Sequence, residues 1–167
     1  MNRRRFLLNC LCLATLPLLG SRSHAADTAP DGARLAGKIT KISKSEEEWR
    51  RLLTPARFNI LREAGTEPAF SSPLYTEKRA GRYLCAGCDL PLFTSEMKYD
   101  SGTGWPSFYT TIPGSVETKL DFSLILPRRE YHCARCGGHQ GHVFTDGPKP
   151  TGQRWCNNGL ALKFVPA

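Results

Sequence analysis

The residues with chemical capacity gather in the last third of the chain. Cys156 lies in "QRWCNNG", residues 153–159, with no other cysteine close to it. A thiol of this kind reacts as its thiolate, and nearby cations or hydrogen-bond donors lower its pKa from about 8.5. Arg154 stands two residues before it and Asn158 two residues after. Just upstream, "GGHQGHVFTDG" supplies His139 and His142, with Asp146 four residues beyond the second histidine. His-x-x-His could be half of a metal site, but no matching third ligand is obvious. Acid–base service to Cys156 is the better use of the pair, and two histidines that merely satisfy a core are the plain alternative. "YDSGTGWPSF", residues 99–108, places Trp105 beside a glycine-rich turn, either as core or as the apolar wall of a small pocket.

Four further cysteines form two knuckles of identical spacing, Cys85-x-x-Cys88 and Cys133-x-x-Cys136. A two-residue gap lets one tight turn present two sulfurs to the same ion, and a second such turn completes a tetrahedral zinc shell. Four thiolates leave no coordination position open, so the expectation is one structural Zn2+ per chain and no organic cofactor. Redox-active CxxC pairs or disulfides remain the alternatives. The 44 residues between Cys88 and Cys133 are too many for a simple zinc ribbon, so the metal would clip two distant hairpins of a larger sheet.

The elements that must position these groups can be read from pattern. Ser45 followed by Glu48 is a capping box, with Trp49, Leu52 and Leu53 on one helical face. Thr54-Pro55 starts a second helix that should run to about Ala64, bury Phe58 and Leu61 and stop at Gly65. From there on, "GRYLCAGC", "LPLFTSEMKYDS", "DFSLIL", "REYHCARC", "HVFTD" and "LALKFV" read as short strands, with turns at "SGTG", "IPGS" and "DGPKPTG". The fold class is mostly β, antiparallel and sandwich- or barrel-like, with short N-terminal helices packed at one side.

Residues 1–25 have another texture: a basic start, an apolar run from Phe6 to Gly20, and a small-x-small site at Ser23-His24-Ala25. This is the layout of a cleavable export signal, too short and too interrupted for the roughly 20 apolar residues of a spanning anchor. Arg3-Arg4-Arg5-Phe6-Leu7 adds the twin-arginine pattern, so the expected location is the bacterial periplasm. Residues 26–43 read as a flexible lead-in and 44–167 as one domain. The whole chain carries a net charge of +8, and without the leader's four arginines 19 basic residues face 15 acidic ones. So mild a balance, scattered along the chain, argues against nucleic acid as a partner. A monomer without a stable membrane anchor is the default.

Taken together and in this order, "GTEPAF", "GRYLCAGCDLPLF", "SGTGWPSF" and "CARCGGHQGHVFTDGPKPTGQRWCNNGLALKF" resemble the methionine-R-sulfoxide reductases, from about Ser45 to Pro166. The resemblance implies two antiparallel sheets in a tent- or sandwich-like arrangement and a zinc held by Cys85, Cys88, Cys133 and Cys136. It implies Cys156 as the nucleophile and His139, His142 and Asn158 lining the sulfoxide site. It further implies Trp105 as the wall for the substrate methyl group, Arg154 with Asp146 at the thiolate end, and Val143 beside the pocket. The substrates would be oxidised proteins or peptides carrying methionine-R-sulfoxide, and the electron donor a thioredoxin-like protein or a small thiol.

The chain departs from the family pattern where Thr103 replaces a cysteine that, in many relatives, resolves the sulfenic acid. An external thiol would then regenerate Cys156 directly. Gln140, Asn157 and Gly159 also differ from the usual leucine, aliphatic residue and serine, which brings more polarity near the site. Three rival readings stay open: a zinc-ribbon binding module, an oxidoreductase using the two CxxC pairs, and a redox-inactive descendant kept for interaction.

Overall fold

The computed structural model describes residues 39–123 and 126–167. The leader and most of the lead-in lie outside the described residues. The described end of the lead-in is tied down, because Ile39 packs on the core and Ile42 N–H donates to Arg135 O at 2.8 Å.

Two short helices open the domain, α1 (Glu46–Leu52) and α2 (Pro55–Glu63). The capping box forms as expected: Ser45 Oγ accepts from Glu48 N–H at 3.2 Å, and Glu48 accepts from Ser45 N–H at 2.7 Å. One expectation fails, since Leu52 is 61% exposed while Trp49 and Leu53 are buried. The reason is local: Leu53 is the C-cap in extended conformation, so it leaves the helical register that would have aligned it with Leu52. Thr54 caps α2 and Pro55 occupies its first turn, as read from sequence. The helix stops one residue early, at Ala64 in the left-handed region. Gly65 leaves room for the Asn59 side chain, whose Oδ1 a Cβ there would meet at 2.0 Å.

Nine strands follow among the described residues: β1 (Gly81–Cys85), β2 (Pro91–Thr94), β3 (Lys98–Tyr99), β4 (Ser107–Phe108), β5 (Val116–Asp121), β6 (Arg128–Cys133), β7 (His139–Phe144), β8 (Arg154–Asn157) and β9 (Leu162–Pro166). They form two antiparallel sheets, β2-β1-β9 and β3-β4-β8-β7-β6-β5. The architecture is therefore the mostly β, two-sheet form with N-terminal helices. Several strand assignments change. The strand expected at "DFSLIL" is built instead from the preceding residues and ends at Asp121, with Leu124 and Ile125 outside the described residues, while "SF" and "RWCN", unassigned from pattern, form β4 and β8 of the large sheet.

The core lies between the sheets and is largely aromatic. Phe93 of the small sheet stacks on Phe108 of the large one with ring centroids 3.9 Å apart, and Tyr83 meets Phe108 edge-on. Tyr131 and Trp155 extend the cluster along the large sheet. Such rings bury large apolar areas and fix the angle between the layers. With one face of the large sheet held against this core, its other face is left for β7 and β8 to present polar groups.

Candidate active site

Strand alternation decides which side chains share the face away from the core. Register partners across an antiparallel sheet project to the same side. Ser107 pairs with Cys156, Cys156 with His142, His142 with Glu130, and Glu130 with Lys119, so one row crosses five strands through the thiol. Two residues back along β8, Arg154 belongs to the same face.

His139 joins that face only because β7 is irregular. Residues three apart on a regular strand point to opposite sides. Here Tyr131 pairs with Gly141 while His132 pairs with His139, which leaves Gln140 as the extra residue of a bulge. His139 and His142 therefore lie on one side, with ring centroids 5.6 Å apart, and Gln140 turns into the interior. Gly141 permits the close approach of β8, since a Cβ would meet Cys156 O at 2.0 Å.

Cys156 opens on a cavity of about 130 Å³ lined by Thr66, Trp105, Arg128, Gly141, His142, Phe144, Asn157 and Asn158. That volume suits the end of one side chain rather than a whole cofactor. A larger open groove of about 760 Å³ lies behind Glu67 and has neither thiol nor imidazole among its lining residues. Burial pushes the Cys156 thiol above its ordinary value, and the Arg154 charge, with hydrogen bonds from Thr103, Arg154 and Ser107, pulls it back. Arg154 is itself fixed by a bidentate pair with Asp146, both bonds 2.8 Å, and its guanidinium sits 4.2 Å over the Phe144 ring. Thr103 stands beside a hydroxyl chain, 2.8 Å from Ser101 Oγ, which is 2.8 Å from Ser107 Oγ.

The two histidines have different surroundings. His142 lines the cavity, and its Nε2 lies 2.8 Å from Asp121 Oδ2 on β5. Asp121 also accepts from the Ser123 hydroxyl and N–H and from Arg128 at 2.7 Å; the two Ser123 bonds first, then those from His142 and Arg128, hold its carboxyl well below the usual carboxylate range. An ionised carboxylate only accepts, so Nε2 of His142 carries a proton. His139 is 4% exposed and does not line the cavity; its Nδ1 is 3.0 Å from Glu130 Oε1, and burial lowers its pKa against the pull of that carboxylate.

The other residues singled out from sequence divide. Trp105 forms a wall and donates from Nε1 to Glu67 O at 3.1 Å. Asn158 borders the cavity, yet its amide is partly committed: Oδ1 accepts from Glu67 N–H and Nδ2 donates to Gln140 O. Neither Asp146 nor Arg154 lines the cavity; Asp146 pairs with Arg154, whose charge acts on the Cys156 thiol. Val143 does not line it: paired with Trp155 one residue out of step with His142, it packs against the core. Glu67, Asp121, Arg128 and Glu130 escape sequence reasoning, because each acts through a partner from a distant part of the chain.

The four remaining cysteines converge. Cys85, Cys88, Cys133 and Cys136 bring their sulfurs within 4.8 Å of one another, with separations of 3.6 Å for Cys85–Cys136 and 3.5 Å for Cys88–Cys133. A disulfide needs about 2.05 Å, whereas a tetrahedron with metal–sulfur bonds of about 2.3 Å has edges of about 3.8 Å. The donor set fits a metal. In both knuckles the residue after the second cysteine, Asp89 or Gly137, takes a left-handed conformation and donates its N–H to the first cysteine's carbonyl. Trp49 and Leu61 of the helices approach this centre, and Arg62 donates to Cys136 O at 3.0 Å.

Comparison with known proteins gives a consistent result. A family model described as the SelR domain matches residues 53–166. The chain is 48% identical over 151 residues to "Peptide methionine sulfoxide reductase B1, chloroplastic" of Arabidopsis thaliana, covering 90% of this chain and 75% of that one. It is 52% identical over 124 residues to "Peptide methionine sulfoxide reductase MsrB" of Methanosarcina barkeri, covering 74% and 87%. It is 46% identical over 165 residues to "Methionine-R-sulfoxide reductase B2, mitochondrial" of Rattus norvegicus, covering 93% and 95%.

Proposed function

Because the chain belongs to the SelR-domain family of methionine-R-sulfoxide reductases, we propose that it reduces the R epimer of methionine sulfoxide in proteins and peptides, with Cys156 as the attacking thiol. One observation carries this reading. Among the described residues Cys156 is the one cysteine outside the four-cysteine cluster, and it opens on a cavity between Trp105 and His142.

The thiolate of Cys156 attacks the sulfoxide sulfur while a proton goes to the oxygen, which cannot otherwise leave. In this scheme His142 is doubly protonated: its Nε2–H stays on Asp121, and the proton on Nδ1, the ring nitrogen that Asp121 does not hold, goes to the oxygen. Transfer of the oxygen leaves methionine and Cys156 sulfenic acid: the methionine sulfur gains the two electrons that the cysteine sulfur loses. Trp105 takes the methyl group and the second Nδ2 hydrogen of Asn158 faces the oxygen. Arg154 favours the thiolate before attack.

Thr103 brings a hydroxyl, not a second thiol, to Cys156. An external thiol therefore attacks the sulfenic acid and releases water, and a second thiol splits the resulting mixed disulfide to restore Cys156. A thioredoxin-like protein or a small thiol meets that requirement. Zinc at Cys85, Cys88, Cys133 and Cys136 would hold the two knuckles together and, with four protein ligands, take no part in the chemistry. The arginine-rich leader, outside the described residues, supports export and repair of oxidised periplasmic proteins; the leader fused to a reporter, with and without its arginines, tests it.

The decisive experiment supplies residues 26–167 with R- and S-sulfoxide epimers of a methionine peptide and dithiothreitol, with Cys156→Ser in parallel. Loss of the R epimer alone, abolished in the variant, is the expected result. A folded, metal-loaded protein that consumes neither epimer would overturn the reading.

A further inference from the structure

The segment 66–70, "TEPAF", carries no helix or strand yet joins the two walls of the cavity. Its centre is Glu67, 4% exposed. The Glu67 carboxylate accepts from two consecutive backbone groups, Gly159 N–H at 2.5 Å and Leu160 N–H at 2.8 Å. Its own N–H donates to Asn158 Oδ1 at 3.0 Å, and its carbonyl accepts from Trp105 Nε1 at 3.1 Å. Thr66 lines the cavity on one side of it, and on the other Phe70 N–H donates to Gly104 O at 2.7 Å, beside Trp105.

Phe70 shows how firmly the segment is seated. It sits at φ 62°, a left-handed conformation that a phenylalanine adopts only under constraint. Its ring lies so close over Gly104 that a Cβ there would come within 2.9 Å. The loop of Trp105 and the strand before Asn158 also share one backbone bond, Asn157 N–H to Pro106 O at 2.9 Å, but Trp105 and Asn158 themselves share none among the described residues. Glu67 is the residue that touches both.

We propose that Glu67 is a positioning residue that sets the separation of Trp105 from Asn158 and so fixes how the substrate's methyl and oxygen are received. The inference rests on the sulfoxide-reductase reading and adds a specificity-determining residue to it. The physical basis is a buried carboxylate whose charge-assisted bonds are too costly to break for the walls to drift apart. Glutamine at the same place keeps the shape, but its NH2 group faces one backbone N–H and donor meets donor. The turn that carries Asn158 then loosens against Trp105 while Cys156, held in the ladder of β4, β8 and β7, stays in place.

The test compares Glu67→Gln and Glu67→Asp with the unaltered protein, using a methionine-R-sulfoxide peptide and dithiothreitol, and separately measures alkylation of Cys156 by iodoacetamide. The expected result is a KM raised by about tenfold in Glu67→Gln, an intermediate value in Glu67→Asp, and an alkylation rate within about a factor of two of the original. A purely structural role would lower the concentration of folded enzyme, and with it apparent kcat, but leave KM unmoved. An unchanged KM in both variants, or a loss confined to kcat, overturns the proposal; if Glu67→Gln fails to fold, Glu67→Asp decides by the same criterion. Failure of the unaltered protein to reduce the R epimer is a different outcome, since it removes the sulfoxide-reductase reading and this inference with it.

Discussion

Asn157 donates from Nδ2 to Gln140 Oε1 at 3.5 Å, and both side chains are fully buried. Gln140 also donates from Nε2 toward Cys85 Sγ at 3.5 Å and Gly138 O at 3.3 Å, while Tyr131 Oη donates to Asn157 Oδ1 at 2.7 Å. Two of the polar residues that the sequence singles out as departures from the family pattern are thus partners. They join the four-cysteine centre to the strand that carries Cys156. The added polarity is buried: Gln140 lies beneath the site, outside the cavity lining, and Asn157 forms part of the cavity's inner wall.

Partnership makes the two substitutions non-additive. Asn157→Leu strands Gln140 Oε1 and the Tyr131 hydroxyl and should cost about 1–3 kcal/mol in urea unfolding, whereas Gln140→Leu leaves Asn157 its bonds to Asn158 O and from Tyr131 and should cost less. The double variant should cost less than the two together, with a coupling of about 0.5–3 kcal/mol in a double-mutant cycle. Additive costs would mean that the contact contributes nothing.

The Thr103 hydroxyl is one of the groups that offset the effect of burial on the Cys156 thiol. After one turnover on a sulfoxide peptide without added thiol, intact mass should show Cys156 oxidised with no internal disulfide. Thr103→Cys should give an intramolecular disulfide between positions 103 and 156. A disulfide in the unaltered protein would defeat the direct-thiol scheme.

Arg154 opposes the effect of burial on the Cys156 thiol. Without that charge the thiol pKa rises, the thiolate fraction at neutral pH falls, and each unit of rise is about a tenfold loss. Arg154→Gln should therefore be alkylated more slowly at pH 7, with its rate–pH curve displaced to higher pH. The melting temperature should change little, because Asp146 is left in water. Superimposable curves would remove Arg154 from this role.

Burial holds the pKa of His139 below the ordinary 6.5 of histidine. A depressed value favours the neutral ring in the folded state, so its contribution to stability is complete above about pH 6.5 and lost as pH falls through the folded value. The melting temperature should drop between pH 7.5 and 5.5, and His139→Gln should flatten that slope. An equal slope in both proteins would show that other groups carry the acid sensitivity.

The four-cysteine centre should bind one metal ion per chain by elemental analysis, zinc on the chemistry of the donors. Cys133→Ser should lose it and unfold or loosen the domain, since such sites supply on the order of 10 kcal/mol to small folds. Metal-free protein with two disulfides would instead favour the oxidoreductase reading of the CxxC pairs.

What the sequence by itself determined is local. The capping box at Ser45 and Glu48, the Thr54-Pro55 start of α2 and the two CxxC knuckles each depend on atoms within four residues, so their spacing carries their geometry. The identity of Cys156 as the odd thiol of residues 44–167 was equally legible, because it required only setting the two CxxC pairs aside. What the tertiary structure alone decided is which distant groups meet. The bulge at Gln140 brings His139 and His142 to one face, strand register sets Asp121 behind His142, and a loop without regular structure sets Glu67 between Trp105 and Asn158. The same parity turned Val143 away to the core. Register between strands is fixed by burial of one whole sheet face against an aromatic core, a property of the assembled layers to which no short window of sequence has access.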